Sequence, residues 1–311
     1  MARSKVTAKR PIDEPGPYTV AGVRISHPER LIYPDLGIPK IQLARYYDKI
    51  ADWIVPHVSG RPLTLVHCPA GLAAPCLYLK HAKAWGPSAL RRVKIQEKTK
   101  VGEYLVADSI EAVVSLAQMG IVEIHTWNST IEDIERPNRI VWDLDPGPSV
   151  TWQQVGKAAG LVRDVLKTLG LKSWVKTTGG RGLHVVVPIQ PARDVAECLA
   201  FSRSVSEAIV RTDPQRYTIA FAKLGRERKI LIDYLRNNRT NTSISAFSPR
   251  ARPGAKVSIP IDWADLSTPP EKWTLRTVPK RLERLRVDPW AGYATTAQAI
   301  SKASFEAIQH L

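Results

Sequence analysis

The segment RIVWDLDPGPS, residues 139–149, holds an apolar run, Ile140-Val141-Trp142, that ends on two carboxylates, Asp143 and Asp145. On a strand, residues i and i+2 face the same way, so the two acids project together with Cα atoms about 7 Å apart. Pro146-Gly147-Pro148 stops the strand and leaves the pair at its end. The run KILID ends on a third carboxylate, Asp233, in the same setting. A lone Asp in such a place usually caps the turn after its strand. A DxD with a matching third Asp better fits one or two Mg²⁺ or Mn²⁺ ions, which prefer oxygen ligands. Two such ions about 4 Å apart suit phosphoryl or nucleotidyl transfer.

KTTGGRGLH, residues 176–184, supplies a second element of that chemistry. Gly179, Gly180 and Gly182 let backbone N–H groups approach a phosphate closely. Thr178 can donate a hydroxyl, Arg181 can pair with phosphate oxygens, and His184 lies two residues into the next strand. Alone, a glycine hairpin is most often a tight turn, and no Walker A lysine motif is present. Beside a carboxylate cluster the phosphate reading gains weight. Cations crowd the sequence around Asp233: Lys223, Arg226, Arg228, Lys229, Arg236, Arg239, Arg250, Arg252 and Lys256. Such a run is usually a solvated face. Arg236 differs, because it follows Asp233 by three residues and is placed to neutralise a triphosphate.

The elements that must hold these residues are mixed. YTVAGVRIS reads as a hairpin turning at Ala21-Gly22. From Pro39 the apolar residues Ile41, Ala44, Tyr47, Ile50 and Ile54 fall at helical spacing. RPLTLVH (61–67) and CLYLK (76–80) read as short strands. Ser109 can cap a helix that runs to Met119 and ends at Gly120. IVEIHTW (121–127) alternates as a strand, with Glu123, His125 and Trp127 on one face. A helix is expected over 150–169, a strand, glycine loop and strand over 173–189, a helix over 194–211, and a strand over 228–235. The basic tail from about 270 is expected to be mostly helical. No regular βαβ rhythm appears, so a doubly wound sheet is not favoured.

The chain has 311 residues, 44% hydrophobic and 24% charged, which suits a soluble globular protein with a sizeable core. Its 45 Lys and Arg against 29 Asp and Glu give a net charge of +16. That excess favours a polyanionic partner, nucleic acid before a membrane surface. Cys68, Cys76 and Cys198 make an odd count without CxxC spacing. This argues against a disulfide framework or a cysteine-rich zinc site, with the reducing cytoplasm as default. No apolar run of about 18 residues is long enough to span a membrane. Residues 1–17 lack the apolar core of a signal peptide and read as a flexible basic tail or linker. Residues 18–311 read as a single domain, which could be a module of a longer protein.

Three motifs stand in order: DLD at 143–145, TGGRGLH at 178–184 and LIDYLR at 231–236. With ERLIYP and a lysine soon after, GRP before a strand, WDLDPG, GLHVVVP and SPRAR, the chain from about residue 20 to 290 resembles the archaeo-eukaryotic primase superfamily. More closely, it resembles the polymerase domain of bacterial ligase D, an end-joining repair ligase. The resemblance implies an α+β fold: a primase-like palm of mostly antiparallel sheets flanked by helices, in two closely packed lobes. It implies a template-dependent nucleotidyltransferase, of the EC 2.7.7 class, that extends a primer 3′-hydroxyl at gaps and DNA ends, with ribonucleotides preferred over dNTPs. Asp143, Asp145 and Asp233 would ligate two divalent ions, manganese favoured. Thr178, Arg181, Gly182 and His184, helped by Arg236 and Arg250, would grip the nucleoside triphosphate, with His125 nearby. Arg30 and Lys40, with His27, match positions that read the 5′-phosphate of a downstream strand. Leu77 and Tyr78 match an aromatic pair that stacks on the template. Thr178 replaces the usual Ser and Arg30 a Lys, which keeps hydroxyl and charge; Leu77 loses a ring. The implied partners are gapped or broken double-stranded DNA, ligase and nuclease domains of the same polypeptide and the bacterial Ku protein, in a cytoplasmic, nucleoid-associated setting. No ligase or nuclease motif stands in this chain.

Two other classes remain open at the sequence level. A DxD phosphatase forming an aspartyl-phosphate wants Thr or Val soon after its second Asp, where this chain has Pro146-Gly147-Pro148. A non-enzymatic module bridging DNA ends would use the cations but leave three carboxylates beside a phosphate loop without a purpose.

Overall fold

The computed structural model describes residues 18–82 and 86–309. The expected tail, residues 1–17, lies outside them. A hairpin of β1 (Thr19–Val20) and β2 (Val23–Arg24) turns at Ala21 and Gly22, both with positive φ, as the sequence predicts. A second small pair, β3 (Leu31–Tyr33) and β4 (Ile38–Pro39), leads into α1 (Lys40–Lys49). The helix expected from Pro39 proves to be two, because the chain breaks at Ile50 and resumes as α2 (Ala51–Val58). No glycine or proline marks the break, so periodicity reads through it.

Strands β5 (Leu63–His67) and β6 (Leu77–Leu79) are antiparallel neighbours. Their last register pair is His67 with Leu77, so Cys68 and Cys76 meet next across the ladder, with Cα atoms 4.4 Å apart, and form a disulfide. This corrects the expectation drawn from the cysteine count: counts and spacings run along the chain, whereas a hairpin supplies the proximity. A further hairpin, β7 (Arg91–Gln96) and β8 (Val101–Val106), carries too many charges to stand out in the sequence. Then α3 (Ile110–Gln118) starts where the Ser109 hydroxyl accepts the Ala112 N–H, and Gly120 with positive φ turns the chain into β9 (Ile121–Thr126).

The second half begins with β10 (Arg139–Pro146) and α4 (Trp152–Thr168), opened by a capping box of Thr151 and Gln154. The glycine hairpin β11 (Trp174–Thr177) and β12 (Leu183–Pro188) follows, then α5 (Val195–Thr212), β13 (Tyr217–Thr218), β14 (Ile230–Asp233), β15 (Ser243–Ile244) and β16 (Pro260–Ile261). The tail is not mostly helical. Prolines 269, 270 and 289 and Gly292 interrupt it, leaving two short helices, α6 (Val278–Leu282) and α7 (Lys302–Ile308). Among the described residues no helix is long and apolar enough to cross a membrane.

Two sheets carry the fold. One has six strands in the order β13-β14-β10-β12-β11-β16, antiparallel except for β13 beside β14. The other has four, β15-β9-β5-β6, all antiparallel. One buried cluster of apolar side chains runs through both. Alternation along β10 sends Ile140, Trp142 and Leu144 into that cluster, and the Trp142 indole N–H donates to Ser202 O on α5. Val141, Asp143 and Asp145 therefore face the other way.

After β14 a short turn brings Asn237 back onto β10. Its amide accepts the Val141 N–H and donates to the Val141 carbonyl, both at 2.8 Å. It thus continues by side chain the ladder that β14 leaves at Asp233. Each buried group left unpaired costs about 1–3 kcal/mol, so Asn237→Ala is expected to lower stability by about 3 kcal/mol in denaturant unfolding. A loss under about 1 kcal/mol would mean that water replaces the amide.

Candidate active site

Four polar side chains stand in one line across the six-stranded sheet. Register sets Asp233 opposite Asp143, Asp143 opposite His184, and His184 opposite Lys176. Neighbouring strands lie about 4.8 Å apart, so the row is a continuous strip of ionisable groups. Asp145 follows on the same face of β10, one step toward its end.

The charges on these acids are met by arginines. Arg236 Nε lies 3.1 Å from Asp143 Oδ2 and 3.0 Å from Asp233 Oδ2. Arg226 Nη2 donates to Asp145 Oδ2 at 2.6 Å. His184 Nε2 is 3.4 Å from Asp143 Oδ1, and its Nδ1 is buried without a hydrogen-bond partner. Burial alone would raise the Asp143 pKa, but His184 and Arg236 outweigh it and hold the carboxyl well below its ordinary range. Burial, with the Asp143 charge behind it, pushes Asp233 up to about 6 against the pull of Arg236. Burial pulls the His184 imidazole down to about 4. For this pair we take an ionised Asp143 beside a neutral ring near pH 7, with Arg236 as the countercharge. Among the described residues no three acid, His or Cys side chains converge on one point. The donor set is still all oxygen at the ends of two adjacent strands, with Asp143 and Asp233 side by side. Those are the features a hard divalent cation meets.

The glycine loop packs against this strip. Thr178 Oγ1 donates to Gly182 O and accepts the Gly180 N–H, closing the loop. A Cβ on Gly182 would lie 2.4 Å from Leu144 O, so this position is glycine because it touches β10. Arg181 turns back to the carbonyls of Gly147, Pro148 and Val150 and clamps the turn after β10. Arg250 reaches in from the segment after β15: its Nη1 donates to Thr178 O at 2.9 Å and its Nε to Glu123 Oε1 at 3.0 Å.

Between the two sheets opens a polar cleft of about 630 Å³. It brings together Asp143, Asp145, Thr178, Arg181, Gly182, His184, Arg236, Arg250, His125 and Tyr78. Asp233 lies behind Arg236, outside the lining. Tyr78 packs toward His125, ring centroids 6.0 Å apart, whereas Leu77, next to it on β6, is exposed outside the cleft. Trp127 does not share the face of Glu123 and His125; β9 ends at Thr126, and the indole packs on Tyr104. Arg30, Lys40 and His27 gather elsewhere, around the start of α1. Lys40 is only 3% exposed and its Nζ donates to Gln118 O, while Arg30 Nη1 donates to Pro69 O. Burial, then the nearby Arg30, lowers the Lys40 pKa. His27 has positive φ and sits exposed, 4.0 Å from Glu29.

A model of the LigD primase-polymerase domain matches residues 39–290. The chain belongs to this family. It is 38% identical over 288 residues to the multifunctional non-homologous end joining protein LigD of Pseudomonas aeruginosa, covering 91% of this chain and 34% of that protein. The LigD of Mycolicibacterium smegmatis is 31% identical over 249 residues, 79% of this chain and 33% of that one. The chain thus spans about a third of the length of these curated relatives. The polymerase domain of Mycobacterium tuberculosis ligase D, solved in complex with DNA, superposes with a TM-score of 0.82 at 26% identity, covering 88% of this chain and 99% of that domain. The expected mixed fold of mostly antiparallel sheets flanked by helices is that of a LigD primase-polymerase domain.

Several cleft residues of this LigD domain escape a reading of the sequence. Lys80, Thr64 and the segment Thr240–Ile244 line the cleft, as does Arg252, which the sequence offers only as one member of a basic run. Lys176 is buried at the end of the row, with its Nζ donating to Ser258 Oγ. The basic run around Asp233 converges only in part: Arg236, Arg250 and Arg252 line the cleft and Arg226 meets Asp145, whereas Arg239 pairs with Glu135 and Lys256 with Glu271. Lys176 opens the KTTGGRGLH segment, but nothing in the sequence shows that it lies opposite His184.

Proposed function

We propose that this domain adds nucleotides to a primer 3′-hydroxyl on a DNA template, at gaps and broken ends, as the polymerase step of end joining. The observation that carries the reading is the cross-sheet row Asp233–Asp143–His184 opening, with Asp145, into a polar cleft that also holds the glycine loop. Asp143, Asp145 and Asp233 would hold divalent ions, with manganese favoured, and such ions lower the pKa of a hydroxyl nucleophile and neutralise a triphosphate. The protein's own groups supply positioning and charge. Thr178, Gly180, Arg181 and Gly182 form the stretch of cleft wall that would face the phosphates. Arg250 and Arg252 bring positive charge beside the glycine loop, and Lys80 adds charge from the end of β6. Tyr78 and His125 flank the place where a nucleoside would sit, and ribonucleotides are the preferred substrate. Arg30 and Lys40 would take the 5′-phosphate of the downstream strand.

Release of pyrophosphate in the presence of primer-template, nucleotides and Mn²⁺ tests this directly. A bridging module releases nothing, and an aspartyl-phosphate phosphatase releases inorganic phosphate. His184→Ala is expected to raise the nucleotide KM by about tenfold, the value of one good hydrogen bond to a charged group, with DNA affinity unchanged. Reduced thermal stability with unchanged kinetics per folded molecule would make His184 a structural residue.

A further inference from the structure

Glu123 is a carboxylate inside the protein that the nucleotide-adding reading leaves without a role. Its side chain is 4% exposed and is not part of the cleft lining. Yet all its hydrogen bonds run to groups that lead there. Oε2 accepts from His125 Nε2 at 2.8 Å. Oε1 accepts from Arg250 Nε at 3.0 Å and from the Ala251 N–H at 2.8 Å. His125 and Arg250 come from different places, the strand β9 and the segment after β15, and both line the cleft. Arg250 in turn holds Thr178 O at the base of the glycine loop. One buried acid therefore ties the four-stranded sheet, the 250 segment and the glycine loop into a single wall.

We propose that Glu123 is a positioning residue for the incoming nucleotide: it fixes the orientation of His125 and Arg250 and sets which nitrogen of His125 carries the proton. The assignment rests on the nucleotide-adding reading above. A carboxylate accepts only, so the His125 nitrogen facing it must be the N–H. The remaining nitrogen, Nδ1, then carries a lone pair, and the ring offers the nucleotide an acceptor suited to a hydroxyl or amino donor. Burial lowers the His125 pKa even though Glu123 pulls it upward, which keeps the ring neutral. Glu123 itself is held ionised, its pKa near 2, because His125 and Arg250 outweigh the cost of burial. Such an arrangement, in which a second group fixes the tautomer of a working histidine, is common where a ring must face its ligand one way.

The test is E123Q, which keeps size and packing but places an NH₂ against an N–H. Gln can satisfy Arg250 and Ala251 through its oxygen, and His125 must then shift its proton to Nδ1. In ¹⁵N spectra of ring-labelled protein without ligand, the parent should show His125 protonated on Nε2 and E123Q should not. Binding of a fluorescent ATP derivative with Mg²⁺ should weaken about tenfold in E123Q. Its KM should rise by the same factor while kcat changes less than about threefold, and duplex DNA affinity should not move. A merely structural Glu123 would lower thermal stability and leave nucleotide binding per folded molecule intact, and that result overturns the proposal. So does a parent ring that exchanges freely between tautomers, which is readable even if E123Q fails to fold. A parent that binds no nucleotide would defeat the proposed function instead, while the ring spectra still judge the hold of Glu123 on His125.

Discussion

Asp143→Ala is expected to cut nucleotide addition to about one-hundredth of the parent rate or less, with DNA affinity within about threefold of the parent. Asp143 is the centre of the cross-sheet row, between Asp233 on one side and His184 on the other. It is also one of the two acids that share Arg236. Losing it removes an oxygen donor at the point where charge must be balanced during phosphoryl transfer, and no neighbour can replace it. DNA affinity comes mostly from cations that meet backbone phosphates, and these are untouched. Asp143→Asn separates charge from shape, because the amide fills the same space. Asp145→Ala should show a similar kinetic loss at less risk to the fold, since that side chain is 55% exposed. If incorporation by Asp143→Asn and Asp145→Ala stayed near the parent rate, the carboxylates would belong to the fold alone.

Lys40→Ala should weaken binding to gapped DNA about tenfold to a hundredfold when the downstream strand carries a 5′-phosphate, equivalent to about 1–3 kcal/mol. Without the phosphate the same variant should bind nearly as the parent does. Lys40 is buried at the first residue of α1 with one carbonyl partner, and Arg30 lies close enough to oppose its charge. A terminal phosphate carries about two negative charges near neutral pH and would relieve both cations through charge-assisted hydrogen bonds. The comparison requires one fixed salt concentration, because any lost phosphate contact lowers affinity more at low salt. Equal losses on both DNAs would make Lys40 part of a general basic face.

What could be read from the sequence was what depends on short spacing. Asp143 and Asp145 share a face because strands alternate. Ala21-Gly22 turns a hairpin because Gly22 adopts positive φ freely, and Ala21 takes the same region beside it. Ser109 starts a helix because its hydroxyl meets a free N–H. What could not be read depends on register between distant strands. Nothing in the sequence says that His184 sits opposite Asp143, that Lys176 continues the row, or that Arg226 spans 81 positions to reach Asp145. Glu123 was visible as one residue of an alternating strand, but its partners at 250 and 251 were not. The cysteine pair failed for the same reason: Cys68 and Cys76 are joined by a hairpin register, which no count of cysteines contains. The tail misled because its basic, helix-favouring residues stand between prolines.

The cross-sheet row makes this domain sensitive to residue number in a way that composition does not capture. Substituting one apolar residue of β10 for another changes packing by a methyl group or two. Adding or deleting one residue between Arg139 and Asp143 turns every later side chain of that strand over. Asp143 would then point at α5, Trp142 or Leu144 would face the cleft, and the partners on β12 and β14 would meet the wrong neighbours. The same holds for β11, β12 and β14, each of which contributes one member of the line. Between these strands the chain is far more permissive, since doubling the length of a flexible loop costs only about 0.6 kcal/mol. Length variation is thus confined by the sheet to the connections, and an in-frame codon gained or lost inside a strand is a graver lesion here than most point changes.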